Sequence, residues 1–198
     1  MEKKIVQVQE RTQQLIRQLL NVWESSVRAT HDFLSEEEII KIREYVPMAI
    51  ENVEYLIIAE KEFGEPVAFM GIDSNRLEML FLSPEVRGKG LGKQLLQYGI
   101  ETYNIQELTV NEQNPQAVGF YEHMGFQTYK RTDHDEEGNP YPLLYMKRVR
   151  EIGVYGDMRC VAANGVRIKK TSGYCISHLI GLSIWRTDRI MLADVFWC

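Results

Sequence analysis

The spacing of apolar residues predicts two helices after a short N-terminal strand. Residues 5–8 alternate in the manner of a strand, and the helical period follows. Four apolar residues spaced four apart predict the buried face of the first helix: Leu15, Leu19, Trp23 and Val27. A second helix is predicted to begin after Ser35, because Ser35 can cap it and Glu38 can complete a capping box. A loop at 30–33 joins the two helices.

The middle of the chain predicts three strands and a third helix. Segments 55–59, 67–72 and 76–82 are apolar or alternating, and turn-forming residues at 63–66 and 73–75 separate them. Because such close turns join neighbouring strands, we predict an antiparallel meander. The helical period then returns in five apolar residues: Leu91, Leu95, Leu96, Ile100 and Tyr103.

A strand at 107–110 precedes a helix with well-marked ends. Asn114 can cap this helix, and the proline that follows has no N–H to leave unsatisfied in the first turn. Gly125 is the natural residue to end it, since glycine accepts the left-handed conformation found after many helices. Residues 126–132 and 143–149 then predict the two arms of a final hairpin.

The pattern changes near the end of this hairpin. We predict one domain over residues 1–150 and a C-terminal extension over residues 151–198, where no helical or strand period persists. Two interpretations of the extension stay open. It is either a packing or oligomerisation arm, or an addition unrelated to the activity of the domain.

Composition narrows the class of protein. The 198 residues are 44% hydrophobic and 26% charged, as in ordinary globular proteins. The net charge of −5 argues against a general nucleic-acid binder. Neither an apolar run of the roughly 18 residues that a membrane helix needs nor a signal-peptide core is present, so we expect a cytoplasmic protein that is not bound to a membrane. The three cysteines have no paired spacing, so we expect no metal site.

A glycine-rich segment, Arg87–Lys93, lies between a predicted strand and a predicted helix. It alternates Gly88, Gly90 and Gly92, which let the main chain approach a ligand closely. The N–H groups of the helix start and the basic residues around them suit a pyrophosphate. The spacing fits neither a Walker A loop nor a dinucleotide fingerprint. A glycine-rich turn that merely begins a helix is the plain alternative.

Two motifs together resemble one family. Arg87-x-x-Gly90-x-Gly92 is similar to the pyrophosphate motif of the Gcn5-related N-acetyltransferases (GNAT), and residues 111–126 are similar to their later coenzyme motif. Residues 30–35 and 139–144 resemble the small bacterial YjaB-type acetyltransferases, whose acceptor is a peptidyl lysine. The resemblance implies an α/β (α+β) GNAT fold with a mixed, mostly antiparallel sheet of six or seven strands and about four helices.

The resemblance also implies acetyl-CoA as co-substrate and an amine acceptor, either a small molecule or a protein lysine. It implies that Tyr121 gives a proton to the coenzyme sulfur and that Glu78 is the general base. Strand residues 80–82 and the glycine-rich segment would bind the coenzyme. The implied coenzyme-binding residues are Leu80, Phe81, Leu82, Arg87, Gly88, Lys89, Gly90, Leu91, Gly92, Lys93 and Asn114. His31, together with Asp32, would bind the acceptor or shuttle a proton.

Each of these roles has an alternative. Tyr121 is otherwise a half-buried helix tyrosine, Glu78 a solvent-facing glutamate, Asn114 a helix cap and His31 a surface histidine. For the whole protein, the alternatives are a non-catalytic acyl-CoA-binding sensor or regulatory module, and a partner-binding role in the extension. A homodimer is left open.

Overall fold

The computed structural model describes residues 3–149, so the predicted extension at 151–198 lies outside the described residues. The described strands are β1 (Lys4–Gln7), β2 (Tyr55–Glu60), β3 (Pro66–Asp73), β4 (Arg76–Leu82), β5 (Glu107–Asn111), β6 (Phe126–Thr132) and β7 (Leu143–Arg148). The α-helices are α1 (Gln13–Arg28), α2 (Glu36–Arg43), α3 (Val46–Asn52), α4 (Leu91–Tyr103) and α5 (Pro115–His123). Short 3-10 turns lie at Glu62–Gly64 and Pro84–Val86.

The seven described strands form one mixed sheet in the order β1-β2-β3-β4-β5-β7-β6. Neighbouring strands are antiparallel except for the central pair, β4 and β5, which is parallel. That pair is joined only at Arg76↔Glu107 and Leu77↔Leu108, and the two strands separate beyond these positions. The opening between β4 and β5 is therefore built into the centre of the sheet.

Helices cover both faces of the sheet. On one face, α4 and α5 contribute Leu91, Leu95, Leu96 and Tyr121 to the first core cluster. On the other face, α1, α2 and α3 build the second cluster around Trp23. A sheet that is apolar on both faces needs such a covering on each side, which gives a three-layer arrangement.

The predicted fold class is confirmed, and one helix is added to it. The capping box predicted at the start of α2 is present, since the Ser35 N–H donates to Glu38 Oε2 (2.7 Å) and the Glu38 N–H donates to Ser35 Oγ (3.3 Å). The sequence pattern did not predict α3. This helix has only seven residues, too few to show a period, and Pro47 in its first turn starts it separately from α2.

A β-bulge interrupts β4 at Glu78. Ile72 pairs with Leu77 and Gly71 with Met79, so Glu78 is the extra residue in the register. Leu77 and Leu80 consequently pack in the same core cluster, although simple alternation would put them on opposite faces. Strict alternation would also place Glu78 on the face of Leu80, and the bulge removes that expectation.

Candidate active site

A cleft of about 430 Å³ opens where β4 and β5 separate. It is lined by the end of α1, the last residues of β4, the glycine-rich segment and one side of α5. The lining residues are Ser26, Thr30, His31, Leu80, Phe81, Leu82, Arg87, Gly88, Gly90, Gly92, Lys93, Asn114, Gln116, Ala117, Phe120, Tyr121 and His123. The cleft thus joins segments from both ends of the described domain.

The glycine-rich segment forms a loop that turns directly into α4. Gly88 (φ 69°) and Gly90 (φ 82°) have left-handed backbone, which glycine adopts without the clash that a Cβ would cause. Within residues 3–149, no protein oxygen accepts a hydrogen bond from the N–H groups of Leu91, Gly92 or Lys93. These donors stand at the positive end of the helix, so the loop offers main-chain donors to an anion.

The three basic residues of this loop differ in what they contact. Arg87 and Lys93 line the cleft, and no carboxylate of the described residues forms an ion pair with either one. Partial burial lowers the pKa of the Arg87 guanidinium. Lys89 instead donates to the carbonyl oxygen of Glu85 (2.7 Å), and its side chain lines a separate surface groove. The uncompensated charge therefore comes from Arg87 and Lys93.

The end of β4 offers its main chain to the cleft. Beyond Leu77, no residue of β4 pairs with β5 in the described part of the chain, while the opposite edge stays bonded to β3. An unpaired strand edge binds extended ligands through its N–H and C=O groups. Residues 80–82 line the cleft along this edge, so their main chain is available to an extended ligand.

Tyr121 lies deep in the cleft wall formed by α5. Its side chain is 2% exposed, and its ring packs edge-on against Phe126 with centroids 6.2 Å apart. Asn114 begins the same helix and accepts from the Ala117 N–H (3.2 Å). Asn114 therefore caps α5, as its alternative role predicted, and it also lines the cleft.

Glu78 lies at the point where the two central strands part, but it does not line the cleft. Its side chain is 16% exposed and pairs with Arg76 (Nε to Oε1, 3.0 Å). Burial raises the pKa of the Glu78 carboxyl to about 7, with a smaller lowering contribution from Arg76 and raising contributions from Asp73 and Glu136. A solvent-facing glutamate does not describe this residue, because its carboxylate is mostly buried.

His31 is buried at the end of α1, with 6% of its surface exposed. The surface-histidine alternative is therefore wrong. The ring nitrogen Nδ1 lies 2.8 Å from Thr30 Oγ1, and the ring packs against Phe33 with centroids 5.2 Å apart. Asp32 is exposed and does not line the cleft, so the structure separates the two predicted acceptor-binding residues.

Eleven predicted site residues meet in the cleft, and four do not line it: Asp32, Glu78, Lys89 and Leu91. The side chain of Leu91 is buried in the first core cluster, which leaves only its N–H for a ligand. Sequence reasoning missed six lining residues: Ser26, Thr30, Gln116, Ala117, Phe120 and His123. Those on α5 share one side with Tyr121 at helical spacing, a signal that the sequence carried.

Residues 3–149 contain neither a candidate membrane-spanning helix nor a candidate metal centre. No helix there is both long and apolar enough to cross a membrane. No group of three or more His, Cys, Asp or Glu side chains there is placed to hold a metal ion.

Comparison with known families and proteins identifies relatives over the described domain. A model for the acetyltransferase (GNAT) domain matches residues 7–147. Peptidyl-lysine N-acetyltransferase YjaB of Salmonella typhimurium is 41% identical over 126 residues, which cover 64% of this chain and 86% of that protein. YjaB of Escherichia coli is 39% identical over 132 residues, which cover 67% and 89%.

Solved structures show the same architecture. The solution structure of apo-form YjaB from Escherichia coli matches with a TM-score of 0.68 and 36% identity, over 75% of this chain and 99% of that chain. PaiA N-acetyltransferase from Thermoplasma acidophilum, solved in complex with coenzyme A, matches with a TM-score of 0.56 and 23% identity, over 74% and 99%. The second match supports the fold alone.

Proposed function

This chain belongs to the acetyltransferase (GNAT) family and is an N-acetyltransferase, and we propose that it moves an acetyl group from acetyl-CoA to a primary amine. The observation that carries the proposal is the cleft itself. It brings a glycine-rich loop with main-chain N–H donors, an unpaired strand edge and the buried Tyr121 into one space. Acetyl-CoA carries three matching groups in one molecule, namely a pyrophosphate, an extended arm and a thioester.

The loop residues account for coenzyme binding. The N–H groups of Leu91, Gly92 and Lys93 would donate to the pyrophosphate, and the Arg87 guanidinium would add a charged contact. The edge of β4 at residues 80–82 would pair with the pantetheine arm in the manner of an added strand. These contacts would place the thioester next to Tyr121.

The chemistry we propose is direct attack. The amine nitrogen bonds to the acetyl carbon, the carbon–sulfur bond breaks, and the electron pair leaves with the sulfur. The Tyr121 hydroxyl donates a proton to that sulfur. The sulfur then leaves as a thiol, which is a better leaving group than a thiolate. Glu78 lies beyond the lining of the cleft, so we propose that it receives a proton through intervening water. Its carboxyl pKa of about 7 suits a proton acceptor at neutral pH.

We propose a protein lysine as the acceptor, because two of the relatives carry the name peptidyl-lysine N-acetyltransferase. A small amine is the alternative that the test must exclude. A cytoplasmic location and the absence of nucleic-acid and membrane partners stay predictions from the sequence, and the question of a homodimer stays open.

The proposal is tested with the purified full chain in two steps. Calorimetric titration with coenzyme A tests binding, and release of free thiol tests transfer from acetyl-CoA to lysine peptides and small amines assayed side by side. We expect binding and thiol release with lysine peptides. Absence of binding contradicts the proposal, and binding without transfer to any amine supports the sensor alternative. If only small amines are acetylated, the protein-lysine acceptor is contradicted, while the proposed acetyl transfer itself stands.

A further inference from the structure

His31 is a buried titratable side chain in the cleft that the proposed reaction leaves without a task. It shares the cleft with Tyr121 and the glycine loop, whereas Glu78 lies outside the lining. The transfer needs a proton acceptor as well as a donor, because an acceptor amine is mostly protonated at neutral pH. A histidine inside the cleft has the right chemistry for the proton acceptor.

The hydrogen bonds of Thr30 determine which nitrogen of the His31 ring carries a proton. The Thr30 hydroxyl donates its one hydrogen to the carbonyl oxygen of Ser26 (2.9 Å), a partner one helical turn back. Its oxygen also lies 2.8 Å from His31 Nδ1. Because a carbonyl oxygen can only accept, both contacts are hydrogen bonds only when the Thr30 hydroxyl donates to Ser26 and Nδ1 donates to Thr30 Oγ1. In the neutral ring, Nε2 therefore carries the lone pair that can take a proton.

Packing fixes the plane of the ring from the other side. The His31 ring contacts Phe33, and Phe33 contacts Tyr141 with ring centroids 5.9 Å apart. The Tyr141 hydroxyl in turn donates to Glu38, the residue that completes the capping box of α2. The ring is thus held between a hydrogen bond and a tilted aromatic contact, the kind of support that orients a functional side chain.

We propose that His31, held as the Nδ1–H tautomer by Thr30, is the group that takes the proton from the acceptor amine. This inference rests on the proposed acetyl transfer and adds a catalytic residue to it. Thr30 is a positioning residue, since it acts through His31. Tyr121 supplies the acid from α5, and His31 supplies the base from the end of α1.

The proton balance of the step is complete. The incoming ammonium gives one proton to Nε2 of His31, and the neutral amine attacks the acetyl carbon. The leaving sulfur takes the Tyr121 proton, and the second proton lost by the new amide nitrogen restores the Tyr121 hydroxyl. His31 then releases its proton to solvent, directly or toward Glu78. The net products are an amide, a thiol and one proton.

The first experiment removes the basic nitrogen of His31 and keeps its hydrogen bond to Thr30. In His31→Asn, the amide nitrogen can still donate to Thr30, but the side chain has no basic nitrogen. We expect kcat/KM for the amine to fall by about 100-fold or more, the usual contribution of a general base. Coenzyme A affinity should stay near that of the wild type. The matched control, His134→Asn, changes an exposed histidine outside the cleft and should leave the rate unchanged.

The outcomes separate this inference from the proposed function. If the wild type transfers acetyl groups and His31→Asn keeps its kcat/KM, the inference is overturned while the function stands. If the wild type transfers nothing, the function itself fails. A matched loss in Glu78→Gln with no loss in His31→Asn would assign the base to Glu78 and also overturn the inference.

The second experiment reads the tautomer itself. Nitrogen-15 NMR of the neutral His31 ring in the wild type should show the proton on Nδ1, and a proton on Nε2 overturns the proposal without any activity assay. Thr30→Val removes the acceptor with little change in shape, so we expect a shift toward the Nε2–H tautomer and a lower kcat at unchanged coenzyme A affinity. Thr30→Ser restores the hydroxyl and should restore both readouts. A rate that Thr30→Val leaves unchanged overturns the positioning role.

Discussion

The glycine loop and the group of Thr30, His31 and Tyr121 line one cleft but are built in different ways. The loop is a continuous segment whose proposed ligand contacts come from main-chain N–H groups, with glycine needed for the backbone shape. The side-chain group combines two residues that follow the end of α1 with one residue of α5, and these two helices lie on either side of the sheet. One region is made by local sequence and the other by packing.

This difference indicates how each region should fail. A substitution in the loop acts by filling or distorting space that the ligand needs, so binding should be lost. A substitution in the side-chain group removes a proton donor or acceptor, so turnover should fall while binding survives. The expected effects decrease from a substitution in the loop, through Tyr121 and Glu78, to a single charged side chain of the loop.

The largest effect is expected for Gly92→Val. A Cβ at Gly92 would lie 3.6 Å from both Leu82 and Phe120, so the added methyl groups would project into the cleft. We expect the affinity for coenzyme A to fall by at least about 100-fold, or about 2.7 kcal/mol. Calorimetric titration measures this loss. Gly119→Val is the matched control, because Gly119 is exposed on α5 with open space around it. Equal affinity in the two variants would contradict the role of the loop.

Tyr121→Phe should separate turnover from binding. The ring contact with Phe126 is kept, and only the hydroxyl is lost. We expect kcat to fall by about 100-fold or more, as for loss of a general acid. Titration with acetyl-CoA should give nearly the wild-type affinity. An unchanged kcat would show that Tyr121 is not the acid, and a parallel loss of affinity would place it with the binding loop instead.

Glu78→Gln tests the buried carboxylate through stability. Because the pKa of Glu78 is raised from 4.5 to about 7, the folded state favours its protonated form. The stabilisation that the folded state gains by protonating Glu78 is complete below about pH 4.5, and it is lost as the pH rises through 7. From pH 4.5 to 8, the unfolding free energy of the wild type should therefore decrease relative to Glu78→Gln, by up to about 3 kcal/mol.

Chemical denaturation across this pH range makes the measurement, and Glu24 supplies a control of opposite sign. Hydrogen bonds from Arg43, and to a lesser degree from Arg28, lower the pKa of Glu24. The contribution of Glu24 to stability is therefore lost as the pH falls. Glu24→Gln should be less stable than the wild type at neutral pH, and this difference should shrink toward acid pH. If the stability difference between the wild type and Glu78→Gln does not change with pH, burial does not raise the pKa of Glu78.

The smallest effect is expected within the loop itself, between two basic residues. Arg87 lines the cleft without a carboxylate partner in the described residues, whereas the Lys89 side chain binds the carbonyl oxygen of Glu85. We expect Arg87→Gln to weaken coenzyme A binding by about tenfold, the effect of one lost charged hydrogen bond. Lys89→Gln should change it little. Equal losses in a titration would mean that overall charge, and not the Arg87 contact, determines affinity.

Much of the fold was predictable because its signals are local. The capping box at Ser35, the cap at Asn114 and the apolar spacing in α1 and α4 depend on neighbours within one or two turns. The seven-residue α3 was missed because a helix this short has almost no period to detect. The bulge at Glu78 was also not predictable, since a bulge is a property of two paired strands and not of one.

The candidate site divides along the same line. The sequence by itself determined the glycine loop, because left-handed backbone at Gly88 and Gly90 and the start of α4 are fixed by residue type and spacing. Only the tertiary structure decided that His31 is buried beside the cleft, that Asp32 is not, and that Glu78 lies outside the lining. Burial and side-chain proximity depend on contacts between residues far apart in the chain, which no local pattern encodes.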